Sequence, residues 1–134
     1  MFENEIPTAH FAEVESVEDV MNGYKPFQPP YVLKADGLAA GKGVYICQTI
    51  EELKSAAEEV FLKKRFGNAG NKAILEQFQT GWETSLHILT NGESYQILPT
   101  AQDHKRIYDN DKGPNTGGMG TVAPLSLDAK LLAT

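Results

Sequence analysis

A glycine-rich segment in the first third of the chain has the residue types that hold a polyphosphate. Gly37, Gly41 and Gly43 expose backbone amides and let a ligand come close, and Lys42 adds a positive charge. Lys34 lies near the end of the preceding apolar segment YVLKA and would point at the same ligand. The segment predicts a hairpin flap that closes over phosphates, although a glycine-rich turn with an incidental lysine would use the same residues.

A P-loop is the obvious alternative for binding phosphate, and the spacing disfavours it. That motif reads GxxxxGK followed by Ser or Thr, whereas Gly37 and Gly41 are only four positions apart and Gly43 stands in place of the hydroxyl. A P-loop also leads into a helix, but the strand-like segment VYICQ follows here. The residues therefore favour a flap between two strands.

Two acidic residues lie near the middle of the chain. Glu76 ends an apolar segment, and Glu83 follows seven positions later, across a turn at Gly81. Strand backbone can match the edge of adenine, and a carboxylate suits ribose hydroxyls. We therefore predict that Gln77 and Phe78 read adenine and that Glu83 binds ribose. An ordinary solvated acidic pair at the end of a hairpin is the alternative.

A second group of cations and glycines follows further along the chain. The segment QDHKR (102–106) places His104, Lys105 and Arg106 together, and GPNTGGMG (113–120) places four glycines in eight residues. Such bare backbone can form an anion-binding nest or pack closely on a ligand. The two segments predict a subsite for a phosphorylated or carboxylate substrate. Taken singly, each could be a surface charge cluster or a loop.

The histidines and the single cysteine indicate no metal site. His10, His87 and His104 are scattered, and no Cys/His spacing is typical of metal ligands. His87 is predicted to be structural. Cys47 cannot form an intramolecular disulfide, and it is predicted to be a small buried apolar residue in a reducing compartment.

Short strands and two helices must position these residues. Ser16 would cap a first helix over residues 16–21, while Thr49 and Glu52 form a capping box before a longer helix that ends near Arg65. Asn91-Gly92 predicts a hairpin, and residues 99–120 are predicted to form a loop. Strands are predicted over residues 9–14, 31–35, 44–48, 72–78, 84–90 and 94–98.

Composition narrows the classes of partner. The 134 residues suit one domain or two small lobes, and 41% hydrophobic residues are enough for a packed core. A net charge of -6 disfavours general binding to nucleic acid. No apolar run approaches the roughly 20 residues that span a membrane, and the N-terminus lacks the pattern of a signal peptide. Small molecules are the predicted partners.

Five segments resemble one family in their order and spacing: IPTAHF, VLKADGLAAGKGV, EQFQTGWETS, QDHKR and GPNTGGMG. From about Ile6 to about Pro124 the chain resembles the phosphoribosylamine–glycine ligases, or glycinamide ribonucleotide synthetases, of the ATP-grasp superfamily. The resemblance implies an α+β fold of antiparallel hairpins with packed helices. It implies a remnant of a preceding helix at residues 1–5, the small ATP-grasp lobe at 6–76 and the beginning of the large lobe at 77–134.

The resemblance also implies an activity and a set of site residues. The family joins glycine to 5-phosphoribosylamine through a glycyl phosphate, consuming ATP, in cytoplasmic purine biosynthesis. By resemblance the ATP-binding residues are Lys34, Gly41, Lys42, Gly43, Glu76, Gln77, Phe78 and Glu83. By the same resemblance the substrate-binding or catalytic residues are Asp103, His104, Lys105, Arg106, Asn115, Thr116, Gly117, Gly118, Met119 and Gly120. The ligands of Mg²⁺ or Mn²⁺ are expected beyond residue 134, with none within this chain.

The chain departs from the family pattern in several places. It has EQFQ where the family usually has EEFL, and GWE where the family has GEE. The family enzyme is much longer, so we expect this chain to be an internal fragment without ligase activity of its own. Two alternatives stay open: another ATP-grasp carboxylate–amine ligase, and a non-catalytic nucleotide-binding module.

Overall fold

The computed structural model describes residues 1–37, 39 and 43–126. Two of the residues predicted to contact phosphate, Gly41 and Lys42, lie outside this described part. The chain divides into two units, Met1–Thr80 and Gly81–Thr134.

The first unit is built on a four-stranded antiparallel sheet in the order β1-β4-β2-β3. Two helices, α1 and α2, complete it, together with short 3-10 turns at Phe2–Asn4 and Gly67–Gly70. In chain order the elements are β1 Phe11–Val14, α1 Val17–Gly23, β2 Tyr31–Ala35, β3 Val44–Cys47, α2 Ile50–Phe61 and β4 Ala73–Gln77. Neither helix is long and apolar enough to cross a membrane.

Both helices begin where the sequence predicts. The Ser16 hydroxyl accepts a hydrogen bond from the Asp19 amide at 3.0 Å, and the Thr49 hydroxyl accepts one from the Glu52 amide at 3.2 Å. The Glu52 carboxylate in turn accepts a hydrogen bond from the backbone amide of Gln48 at 2.7 Å. This reciprocal pattern resembles the predicted capping box.

Helix α2 ends four residues earlier than predicted, at Phe61 rather than near Arg65. Lys64 has a φ of 51°, in the left-handed region that an α-helix cannot continue through. The Arg65 amide then donates back to the Glu59 carbonyl at 3.2 Å. The apolar stripe stops at Phe61, so nothing in the packing requires a longer helix.

Strand alternation gives the sheet two different faces. Leu33 and Leu75 are opposite each other in register and fully buried against Val20 of α1 and Leu53 and Val60 of α2. Each such side chain contributes roughly 1.5–3 kcal/mol of hydrophobic stabilisation on burial. Lys34 and Glu76 alternate with these leucines and therefore lie on the opposite face, which the helices leave uncovered.

The second unit consists of two antiparallel hairpins. The first pairs β5 (Ile88–Thr90) with β6 (Tyr95–Ile97), and the Asn91 side chain accepts the Glu93 and Ser94 amides at 3.0 and 2.9 Å. The predicted Asn-Gly hairpin is thus confirmed. Of the longer strand predicted over 84–90, only Ile88–Thr90 belongs to a strand, with an isolated bridge between Ser85 and Ala101.

The loop predicted over residues 99–120 is wrong. Strand β7 (Gln102–Tyr108) pairs with strand β8 (Lys112–Val122) through most of that segment. Asn110 and Asp111 make the turn with φ values of 58° and 53°, a conformation that Asn and Asp tolerate better than most residues. The four glycines disfavour a strand locally, and it is pairing with β7 that overrides this preference.

Candidate functional site

Lys34 and Glu76 meet on the uncovered face of the first unit's sheet. The Lys34 Nζ lies 2.8 Å from Glu76 Oε2 and donates to Oε1 at 3.0 Å. Their strands pair with Lys34 opposite Ile74 and Glu76 opposite Val32, so the two side chains are diagonal neighbours across β2 and β4. The sequence assigned both residues to one ligand site, and the structure brings them together.

The end of β4 carries the residues predicted to read adenine. The Gln77 amide donates to the His10 carbonyl at 2.8 Å, and Phe78 is half-buried just beyond the strand. A cleft of about 620 Å³ opens beside them, lined in part by His10, Phe27 and the consecutive prolines Pro29 and Pro30. Gln77 and Phe78, the two residues predicted to read adenine, line this cleft as well.

The ends of the glycine-rich segment are held by tight backbone contacts. The Gly37 amide donates to the Ala69 carbonyl at 3.0 Å, and a Cβ added to Gly37 would lie 2.4 Å from the Ala69 Cα. At the other end the Gly43 carbonyl accepts from the Ala35 amide at 2.8 Å, and a Cβ there would lie 2.7 Å from the Ala39 Cβ. Both positions leave no room for a side chain.

Glu83 is found beside the cationic segment of the second unit. Its Oε1 lies 3.9 Å from the Lys105 Nζ, and the same Nζ lies 3.7 Å from Asp103 Oδ2. Glu83 is 82% exposed, which leaves its carboxylate open to a ligand. Lys105 therefore stands between two carboxylates, which reduces its pull on a bound anion.

The residues of the segment 103–106 do not form one cluster. Arg106 donates from Nη1 to the Gly113 carbonyl at 2.6 Å, so its guanidinium closes its own hairpin. Lys105 instead forms an ion pair with Asp103, which lies two positions earlier on the same strand and therefore on the same face. His104 is exposed and pairs in register with Gly120. The three cations predicted to form one subsite therefore have different neighbours: Gly113 for Arg106, Asp103 for Lys105 and Gly120 for His104.

Thr116 organises the glycine-rich strand β8. Its hydroxyl donates to the Lys105 carbonyl at 3.0 Å and accepts from the Gly118 amide at 3.1 Å. Asn115 pairs with Arg106 in register and, like Met119, is exposed. Because one glycine amide is already used by Thr116, the bare backbone of this strand offers fewer donors than its sequence suggests.

A second cleft, of about 430 Å³, lies within the second unit. Four of the predicted substrate residues line it, namely Asp103, Gly117, Gly118 and Gly120. Ser85 and His87 line it as well, and sequence reasoning assigned neither to a site. The available signal was their two-residue spacing, with Leu86 between them, which places both on one face of an extended segment.

Cys47 is buried, as predicted. Burial raises the pKa of its thiol to about 11, so the side chain stays protonated at neutral pH. Over the described ranges 1–37, 39 and 43–126, no three His, Cys, Asp or Glu side chains are grouped so that they could hold a metal ion.

The fold agrees with one family. Residues 1–133 match the family model described as phosphoribosylglycinamide synthetase, ATP-grasp (A) domain, and the chain belongs to this family. The resemblance inferred from the five sequence segments is therefore confirmed, and so is the predicted α+β ATP-grasp fold.

Individual relatives bear the name that the sequence segments suggested. The phosphoribosylamine–glycine ligase of Streptococcus pneumoniae serotype 4 is 47% identical over 120 residues, which cover 90% of this chain and 29% of that protein. The ligase of that name from Leptospira interrogans is 45% identical over 124 residues, covering 92% and 29%. The crystal structure of phosphoribosylamine–glycine ligase from Thermotoga maritima matches with a TM-score of 0.86 and 38% identity, over 96% of this chain and 33% of that one. This chain spans 29% of the length of these two curated relatives.

Proposed function

We propose that the intact protein is a phosphoribosylamine–glycine ligase of the cytoplasm, and that these residues supply part of its ATP site. The observation that carries the proposal is the family match over residues 1–133. The Lys34–Glu76 pair supports it, since it joins β2 and β4 on the uncovered sheet face and Lys34 precedes the glycine-rich segment in the chain. We further propose that residues 6–76 form the small lobe and residues 77–134 the start of the large lobe.

The proposed reaction has two steps. The glycine carboxylate attacks the γ-phosphorus of ATP, so ADP leaves and a glycyl phosphate forms. The amine of 5-phosphoribosylamine then attacks the glycyl carbonyl, phosphate leaves with the bonding pair, and the amine gives up a proton. The products are glycinamide ribonucleotide, ADP and phosphate. Positioning of the reactants and neutralisation of phosphate charge would supply most of the rate enhancement.

The structure supports specific roles toward ATP. Lys34, with Gly41, Lys42 and Gly43, would contact the phosphates, and Glu76 would hold the Lys34 ammonium in place through their 2.8 Å pair. Because the Gln77 amide already donates to His10, the adenine edge would be read by the Gln77 carbonyl and the Phe78 amide. The exposed Glu83 carboxylate would accept ribose hydroxyls.

The second unit would bind the other substrates. We assign 5-phosphoribosylamine and the reacting carboxylate to the residues of the two predicted segments: Asp103, His104, Lys105, Arg106, Asn115, Thr116, Gly117, Gly118, Met119 and Gly120. The resemblance implies that the intact protein also uses Mg²⁺ or Mn²⁺. By the same resemblance we propose that the metal ligands lie beyond residue 134, and we assign no step to the metal.

Omitting substrates one at a time tests the proposal. The intact protein should release ADP and phosphate only when ATP, glycine and 5-phosphoribosylamine are all present. The unstable amine can be formed in the assay from ribose 5-phosphate and ammonia. Turnover with a different carboxylate or amine, and none with this pair, would indicate another ligase of the superfamily. ATP binding without turnover on any such pair would indicate a nucleotide-binding module.

A further inference from the structure

The 430 Å³ cleft of the second unit has one wall whose polar side chains carry no assigned role. Ser85 pairs with Ala101 through two backbone hydrogen bonds of 2.7 and 3.0 Å, and the His87 carbonyl accepts from the Leu98 amide at 2.9 Å. These bonds fix the backbone of the wall. Its chemistry toward a ligand is then set by the Ser85 hydroxyl and the His87 imidazole.

Other parts of the lining are a carboxylate and bare backbone. Asp103 is 31% exposed at its side chain, and a Cβ added to Gly118 would lie 3.3 Å from its Oδ1. Gly118 has a φ of 136°, a backbone conformation that L side chains rarely adopt. The missing side chain leaves the carboxylate open on the side of the cleft.

The charge of the lining decides which part of a substrate fits. Asp103 is the formally charged member of the cleft's lining at neutral pH, and the lining contains no lysine or arginine. Such a surface disfavours a phosphate and suits hydroxyl donors, since a carboxylate commonly accepts hydrogen bonds from ribose hydroxyls. Its volume lies within the range of 300–1,000 Å³ or so that is usual for metabolite pockets, and far exceeds what glycine needs.

We propose that Ser85 and His87 determine substrate specificity by binding, together with Asp103, the ribosyl hydroxyls of the pentose phosphate substrate. This inference rests on the proposed function. The sugar would bind in the cleft. The phosphate would be bound by cations outside the lining, and Lys105, beside Asp103, is one of them. Ser85 and His87 act on binding of this one substrate and take no part in the transfer of phosphate from ATP.

Steady-state kinetics of Ser85→Ala and His87→Ala in the intact protein test this inference. Each neutral hydrogen bond lost should raise the KM for 5-phosphoribosylamine about threefold to tenfold. The KM values for ATP and glycine should stay within about twofold, because the inference places only the sugar against Ser85 and His87. Ser94→Ala is the matched control, since Ser94 lies in the turn of the β5–β6 hairpin, away from the cleft lining, and should change none of the three KM values.

Two outcomes would overturn the inference: a rise in the glycine KM in place of the sugar KM, or an equal rise in all three with a lowered Tm. A direct titration separates this inference from the proposed function. Ribose 5-phosphate keeps the hydroxyls without the amine, and its affinity by calorimetry should fall in both variants. Absence of ligase turnover in the unsubstituted protein would defeat the proposed function, whereas unchanged ribose 5-phosphate affinity in the variants would defeat this inference.

Discussion

Lys34 and Lys72 are two lysines in similar ion pairs with different surroundings. Lys34 pairs with Glu76 at 2.8 Å on the uncovered sheet face, with side chains 40% and 22% exposed. Lys72 pairs with Glu15 at 3.0 Å, with both side chains about 60% exposed. Exposed ion pairs contribute only about 0–1 kcal/mol to stability, so we expect the fold to survive the loss of either pair.

Substituting these lysines therefore tests the phosphate role of Lys34. We expect Lys34→Met to weaken ATP binding by the intact protein about tenfold to a hundredfold, the loss typical of a hydrogen bond to a charged group. Lys72→Met, measured by the same titration, should bind ATP normally. Equal losses in the two variants would show that the effect is general electrostatics, and retained affinity in Lys34→Met would remove Lys34 from the site.

Glu59 is the acceptor of a small hydrogen-bonded group on the first unit. The Tyr45 hydroxyl donates to it at 3.0 Å, and the Arg65 guanidinium forms an ion pair with it while lying 5.9 Å from the Phe66 ring centroid. The Arg65 hydrogen bond, and then the Tyr45 hydrogen bond, lower the pKa of the Glu59 carboxyl. The group links β3 to α2 and to the residues just after α2.

Because folding lowers the pKa of Glu59, this carboxyl stabilises the fold more at neutral pH than in acid. Its contribution is present above the unfolded-state pKa, about 4.3 for a glutamate, and is lost as pH falls through the lower folded-state value. We expect Glu59→Gln to be less stable than the unsubstituted chain at pH 7, with the difference shrinking below about pH 4. Urea unfolding at both pH values measures it. A difference that grew on acidification would contradict the assignment.

At the scale of single elements, the sequence predicted those features that depend on contacts between residues close together in the chain. The Ser16 and Thr49 caps and the Asn91-Gly92 hairpin depend on neighbours within four positions, and all three were predictable. The β7–β8 hairpin was not, because the four glycines of its second strand disfavour a strand locally, and pairing with β7 decides the outcome. Ser85 and His87 were missed for a related reason: the cleft that they line exists only once that hairpin has formed.

The turn at Gly67–Gly70 is the element that holds the start of the glycine-rich segment. A Cβ on Gly37 would lie 2.4 and 2.5 Å from Ala69 atoms, including the backbone Cα, so the turn would have to move. We expect Gly37→Ala to lower the free energy of unfolding by about 1–3 kcal/mol, the usual cost of overpacking. Gly23→Ala is the control, since its Cβ would meet only Leu75 Cδ2 at 3.9 Å. Chemical denaturation measures both, and a neutral Gly37→Ala would contradict the tight contact.

The whole chain distributes its apolar core unevenly between the two units. All the members of the buried cluster, among them Leu33, Leu53 and Leu75, belong to the first unit. In the described part of the second unit only Thr100 and Ala101 are buried, and large apolar residues such as Leu89 and Tyr95 are 61% and 69% exposed. Composition predicted that a core could form, but it could not tell which segments would share it, since that depends on sheet pairing between distant strands.

This uneven core predicts unequal protection when residues 1–134 are studied as an isolated polypeptide. A two-stranded hairpin without a packed face is marginal in water, whereas a four-stranded sheet covered by two helices is not. We expect amides of β2, β4 and α2 to exchange hydrogen only through global unfolding of the first unit. Amides of β5 to β8 should exchange at least about a hundredfold faster, since each 1.4 kcal/mol of opening free energy is a factor of ten. Hydrogen exchange with mass spectrometry compares the two sets within one sample, and the first unit serves as the internal standard. Equal protection of both sets would mean that the second unit is stabilised by more than its own two hairpins.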